Sequence, residues 1–241
     1  MRHKIVRVGI LLLVAAAAAD GLYLAWLWPD WGALARGPVP KSRFIQSYEE
    51  SLADEVHEGK HDLPALRWTP VPLSRIPRVV QRAVIIAEDI RFYQHDGLDF
   101  EALQDAANYD LSKGRIALGG STISQQTAKN LFLWPARSPL RKWHEVVLTL
   151  AMERRLSKSR ILEIYLNIAQ FGRGIYGVEA AARRYWSVPA SALGRRQAAE
   201  LAACLPSPDH NNPETRSARF ERRTDKIERY LDAVGEEELS R

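Results

Sequence analysis

Apolar and polar positions along the chain fall into blocks of different kinds. From Val8 to Trp28 the sequence is apolar except for Asp20 and Gly21. That is about 21 residues, enough for a helix to cross a hydrocarbon core of roughly 30 Å. Arg2, Lys4 and Arg7 come before the span, which predicts a cytoplasmic N-terminus with the bulk of the chain on the other side. Trp26, Trp28 and Trp31 follow it and suit an interfacial belt. Asp20 is out of place there, because an acid at a helix centre costs about 2.5–3.5 kcal/mol on insertion scales. A cleaved signal peptide, ending near the Ala15–Ala19 run, is the competing reading. Leu22–Trp28 prolongs the apolar stretch past any such site and favours an anchor.

Beyond the anchor the period is helical almost throughout. Asp30–Pro40, with its prolines, glycines and aromatics, reads as a juxtamembrane connector, and Ser47–Leu63 as an exposed helix or loop. Leu66–Val71 suits a short extended segment, since Pro70 and Pro72 restrict the residues before them. From Ile76, with Pro77 at a first helical position, a broad apolar face runs through Val79, Val80, Ala83, Val84, Ile86 and Ala87 and predicts burial. Asp99–Leu111 has helical spacing, with Phe100, Leu103, Ala106 and Ala107 on one side. Gly114, Gly119 and Gly120 then mark a loop around Lys113 and Arg115. Thr122-Ile-Ser-Gln125 is a capping-box pattern and predicts a helix from 123 to about 133. After a turn over Pro135–Pro139, Leu140–Leu156 is expected to point Trp143, Val146, Val147, Leu150 and Ala151 inward. Ser157 caps the next helix, through Ile161, Leu162, Tyr165, Leu166 and Ile168. FGRGIYG (171–177) reads as a glycine-broken turn, followed by helices over Val178–Tyr185 and Ala192–Leu205. A last basic amphipathic helix, with Asn212 and Pro213 at its start, is expected to reach about Val234. No repeat and almost no strand alternation are evident. The fold class expected is mainly α.

With 46% hydrophobic and 26% charged residues in 241, the composition is that of an ordinary globular domain with a real core. A net charge of +5 points to an anionic partner: a membrane surface, a phosphorylated lipid or nucleic acid. The single cysteine, Cys204, excludes an internal disulfide and speaks against a cysteine-based metal site. Its setting, AAELAACLP, suits a small core residue.

Candidate chemistry gathers between Ile85 and Asn130. Glu88 and Asp89 end the apolar helix, where carboxylates oppose the macrodipole and where one of them can serve as a general base. Phe92, Tyr93 and His95 follow directly. Ser121 and Thr122 sit in a glycine-led turn that opens a helix, an arrangement able to hold an anion, and Gln125 and Lys129 share one face of that helix. Arg141, Lys142 and Glu145 fall together one helix later, where a surface salt bridge is the plain explanation.

In order, EDIRFYQHDG, GGSTISQQTAKN, RKWHE and KSRILEIYLNIAQFGRGIYGVEAAARRYW resemble the successive motifs of the peptidoglycan glycosyltransferase family. The resemblance covers roughly Pro72–Pro208 plus the anchor, and in extent the chain is similar to the family's single-domain members. It implies a lysozyme-like helical fold with an N-terminal transmembrane helix, divided as anchor 1–30, connector 31–71 and glycosyltransferase domain 72–241. It implies polymerisation of lipid II into β-1,4 glycan strands on the outer face of the cytoplasmic (inner) membrane, without a transpeptidase domain. Glu88 would be the base that deprotonates the acceptor hydroxyl. Glu145 would be the second glutamate, either holding Arg141 and Lys142 or assisting the pyrophosphate through a proton or a metal. Lys129, Arg141 and the start of the 122 helix would stabilise the leaving pyrophosphate. Ser121, Gln125 and Lys129 would line the donor side, Asp89 would orient its surroundings, and Phe92, His95 and Thr122 would support the site. No obligatory cofactor is expected, with a divalent cation (Mg2+ or Mn2+) as an option. The partners implied are lipid II, the growing strand and the membrane, with other cell-wall synthesis or division proteins open. Nucleic acid is not expected, because the anchor would place the basic domain across the bilayer from it. A glycan-cleaving enzyme of the same fold and a membrane-tethered scaffold are the rival classes.

Overall fold

The computed structural model describes residues 2–105, 120–135 and 138–233. The expected positions Ala106–Leu111, Lys113, Gly114, Arg115 and Gly119 lie outside the described residues, as does the end of the last helix at Val234. The helix α1 (Arg2–Trp26) includes a stretch, Val6–Trp26, long and apolar enough to cross a membrane. The short α2 (Trp31–Arg36) and α3 (Arg43–His57) follow, capped by Asp30 and Ser42. The connector does not hang free. Trp31, Leu34, Val39 and Ile45 are buried in the main core. Arg160 ties it down by donating to the carbonyls of Leu34 at 2.8 Å and Gly37 at 2.6 Å.

The core is built in two helical groups. In the first, α6 (Ile123–Phe132) and α7 (Pro139–Glu153) pack together, and α6 also packs on α8 (Lys158–Ile168). Ile161, Leu162, Ile164, Tyr165, Leu166 and Ile168 of α8 are all buried, as expected of a helix that is apolar all round. In the second, α4 (Arg78–Glu88) packs against α10 (Arg195–Cys204) and α11 (Ala218–Ala233). α4 follows the sequence expectation closely, with Val80, Ala83, Val84 and Ile85 buried, although Pro77 is its cap rather than its first residue. Cys204 is fully buried in α10. The remaining helices are α5, which opens at 100 and is described as far as 105, and α9 (Val178–Trp186).

Several elements differ from the sequence reading, each for a physical reason. FGRGIYG is not only a turn: it forms β2 (Gln170–Gly172) and β3 (Ile175–Tyr176), and β3 pairs in parallel with β1 (Arg67–Trp68). Strands of two or three residues are too short to show alternation. Asn167 locks this sheet to α8, exchanging hydrogen bonds with both backbone groups of Val71 at 2.8 and 2.9 Å. The last helix starts at Ala218, because Asn212 forms a separate turn in which its side chain accepts from the Glu214 and Thr215 N–H groups. Phe100 and Leu103, the described apolar positions on one side of α5, are both exposed.

The face of α7 is also rotated from expectation. Trp143 is 53% exposed, while His144, Glu145, Leu148, Thr149 and Met152 are buried. Asp20 explains part of this. Its carboxylate meets His144 Nε2 at 2.5 Å and accepts from Trp143 Nε1 at 3.2 Å, while Tyr23 packs on the His144 ring. The acid that looked misplaced in the anchor is the polar contact between α1 and α7. Trp134, Leu140 and Trp143 stay exposed beside it, and Trp134 and Leu140 share an apolar recess with Ala16, Ala19 and Tyr23 of α1.

Candidate active site

Where α4 ends, the two adjacent carboxylates take different partners. Glu88 is its last residue, and Asp89 leaves the helix with φ −164° and ψ 74°. Asp89 is buried and accepts from the Ile123 N–H at 2.9 Å. It also faces His95 Nε2 at 3.0 Å. The Gly97 N–H donates to His95 Nδ1 at 3.1 Å, so a neutral imidazole carries its proton on Nε2 and gives it to Asp89. Gly97 itself has φ 98° and leaves no room for a Cβ against Thr149 and Glu153. Its carbonyl accepts from the Thr122 hydroxyl at 2.6 Å. Asp89, His95 and Thr122 therefore fasten the end of α4 to the start of α6, and Phe92 is fully buried beside them.

Glu88 opens onto a cleft of about 690 Å3 lined also by Asp89, Ser121, Thr122 and Arg223. Gln126 Nε2 donates to its Oε2 at 2.9 Å, and Tyr165 donates to Gln126 Oε1 at 3.1 Å. The Arg223 guanidinium lies 3.0 Å from Oε1. Burial pushes the Glu88 carboxyl above the usual carboxylate range, against the Gln126 hydrogen bond and the Arg223 and Lys129 charges, which pull it down. Such a group is, once ionised, a stronger base than an exposed glutamate.

The cations expected for an anion gather along α6 and the first turns of α7. Lys129 lies one turn beyond Gln126. Burial holds its ammonium below the usual lysine range; Glu145 and Glu88 raise it, and Arg141 and Lys142 lower it. Glu145 accepts from Arg141 at 3.0 Å and also pairs with Lys142. The Glu145 side chain is 3% exposed, so its carboxylate is more enclosed than in a surface salt bridge, while Arg141 is half-buried and Lys142 reaches solvent. Removing Arg141 would leave the buried Glu145 carboxylate paired with an exposed ammonium alone.

Two expectations need correcting. Gln125, expected to line the donor side, is buried, and its Oε1 accepts from the Thr122 N–H at 3.0 Å in the capping box. Its neighbour Gln126 is the residue that reaches Glu88. The helix start expected as an anion cradle is already filled, since the Asp89 carboxylate occupies the Ile123 N–H and the Thr122 hydroxyl takes the Gln125 N–H at 3.1 Å. A protein acid thus sits where the macrodipole favours negative charge, and the anion is left to the side-chain cations. Gln126 was within reach of sequence reasoning, because the capping box commits Gln125 and leaves its neighbour for the cleft. Tyr165 and Arg223 gave no local signal.

Asp89, His95 and Asp99 are the grouping among the described residues that comes nearest to a metal site. They do not fit one: Arg91 holds both oxygens of Asp99 at 2.8 and 2.9 Å, and Asp89 and His95 are satisfied as above.

The site is thus a glutamate largely withdrawn from solvent and set near a group of cations, in a helical domain packed against a membrane-length helix. The chain belongs to the transglycosylase family, whose model matches residues 59–231. It is 48% identical over 228 residues to a biosynthetic peptidoglycan transglycosylase of Thiobacillus denitrificans, which covers 92% of this chain and 94% of that one. Proteins of the same description from Aromatoleum aromaticum and Nitrosospira multiformis are 51% and 48% identical, covering 67% and 69% of this chain and 70% of each relative.

Proposed function

We propose that the protein polymerises lipid II into linear β-1,4 glycan strands, with Glu88 as the base. The observation that carries this is Glu88 itself: largely withdrawn from solvent, hydrogen-bonded on both oxygens, open to the cleft, and electrostatically coupled to Lys129, which in turn feels Arg141, Lys142 and Glu145. The 4-hydroxyl of the acceptor's N-acetylglucosamine gives its proton to Glu88. Its oxygen attacks the anomeric carbon of the donor's N-acetylmuramic acid while the bond to the pyrophosphate oxygen breaks. Attack from the opposite face turns an α-linked donor into a β-linked product, by the single displacement of inverting glycosyl chemistry. Undecaprenyl diphosphate leaves with the negative charge, which Lys129 and Arg141 offset, and Glu88 returns its proton to solvent. Glu145 holds the two cations of α7 in place, the role its contacts support.

The basic tip and α1 support a single pass through the cytoplasmic membrane, with the cleft on the outer face. A divalent cation stays optional in this scheme, and EDTA titration decides it: polymerisation persists if the protein's cations suffice. Detergent-purified protein given labelled lipid II is expected to yield lysozyme-sensitive strands. Release of soluble fragments from finished peptidoglycan, with no polymer, would instead mark a glycan-cleaving enzyme.

A further inference from the structure

We propose that Arg223, on α11, is a positioning residue that keeps Glu88 ionised and aimed into the cleft. This rests on the reading of Glu88 as the base. Glu88 carries two handicaps as an anion. It is buried, its side chain only 12% exposed, and it closes α4 at the end where the macrodipole is negative. Arg223 answers both with one nitrogen, which donates to the Ala87 carbonyl at 3.1 Å and to Glu88 Oε1 at 3.0 Å. A cation belongs at a helix C-terminus, and a charge-assisted hydrogen bond favours the ionised carboxylate.

The other groups around Glu88 do different work. From α6, Gln126 fixes Oε2 but is neutral; its own oxygen is held by Tyr165 of α8. Lys129 acts from further away, and Glu145 acts on it more strongly than Glu88 does. Asp89, next in the chain, is turned to Ile123 and His95. From α10, Arg196 and Glu200 are engaged with the acids of α11 and with Arg216. Across the cleft, Asp99 is paired with Arg91, and Asp105 and Lys226 stand at the rim. Among the described residues, Arg223 is the cation in direct contact with Glu88.

The helix that delivers it is rigidly held. Phe220, Ile227 and Leu231 of α11 are buried, and Arg196 grips Glu221, Asp225 and Glu228 at 2.6–2.9 Å. The guanidinium therefore arrives from 135 positions away in the chain on an element that cannot easily swing aside.

The test is the pH–rate profile of lipid II polymerisation for Arg223→Gln and Arg223→Lys, with thermal unfolding confirming the fold. For Arg223→Gln, kcat/KM is expected to fall roughly tenfold or more on the acid side and to approach the parent on the alkaline side, as for a base that has lost a contacting cation. Arg223→Lys is expected to recover most of that loss. A profile lowered equally at every pH, or not at all, would overturn the proposal and leave Arg223 as packing. If Arg223→Gln does not fold, Arg223→Met, which also removes the cation, takes its place in the same profile; an undisplaced acid limb there overturns the proposal. Glu88→Gln in the same assay separates the two readings. Loss of activity there with no displacement at Arg223 strikes this proposal alone, whereas parental activity there strikes the role of Glu88.

Discussion

Glu88 and Asp89 are neighbours with opposite duties, separated by one backbone step out of α4. Asp89 is spent on the Ile123 N–H and His95, and Glu88 is left for the cleft. Because burial raises the Glu88 carboxyl and a base works ionised, the rate must drop as pH falls through that raised value. The acid limb of the parental pH–rate profile is therefore expected above that of an exposed glutamate. An adjacent pair on α6 separates packing from chemistry in the same way. Gln125→Ala breaks the capping box and is expected to lower stability by about 1 kcal/mol, with little change in rate once folded. Gln126→Ala is expected to lower kcat by at least about tenfold with a nearly unchanged melting temperature, because it frees one oxygen of Glu88. Thermal melts and polymerisation rates on both variants check this. Both glutamines lie within one turn of Lys129, and the capping-box pattern was the signal in the sequence for which of them faces Glu88. The capping geometry decides it.

At the scale of elements, helices were legible where burial on one side writes a 3.6-residue period, as in α4, or where a nearly continuous apolar run goes inside, as in α8. α7 shows where that logic fails. Its apolar residues include Trp143, half exposed beside the anchor helix, while the buried face carries His144, Glu145 and Thr149. Polar residues are tolerated inside because each has a partner, Asp20 for His144 and the α7 cations for Glu145. No periodicity argument contains the position of α1, so the rotation could not be read. Asp20, by contrast, was visible as a conflict, and the conflict marked a contact. Asp20→Ala is expected to destabilise the detergent-solubilised protein by about 1–3 kcal/mol, since buried His144 loses its partner. His144→Ala combined with it should add much less than its separate effect, because the two share one interaction. Additive losses in thermal or denaturant unfolding would mean that Asp20 and His144 act apart.

Across the whole molecule, the site lies where the two helical groups meet. α4, α10 and α11 bring Glu88 and Arg223, and α6, α7 and α8 bring Gln126, Lys129, Tyr165 and the Arg141–Glu145 pair. The motifs along the chain were readable because each is local. Their convergence was not, since the Glu88–Arg223 contact spans 135 positions and the Glu88–Gln126 contact 38. A chain stopped after Ser217 would lose the buried Phe220, Ile227 and Leu231 and bare the faces of α4 and α10. It is expected to aggregate on purification, as size-exclusion chromatography in detergent would show. The most direct measurement is the rate of strand synthesis from labelled lipid II by Glu88→Gln, alongside its binding of lipid II and its melting temperature. The expected result is a loss of at least about a hundredfold in rate, with binding and melting close to the parent. Strand synthesis at the parental rate by that variant would contradict Glu88 as the base, and with it the chemistry assigned to the cleft.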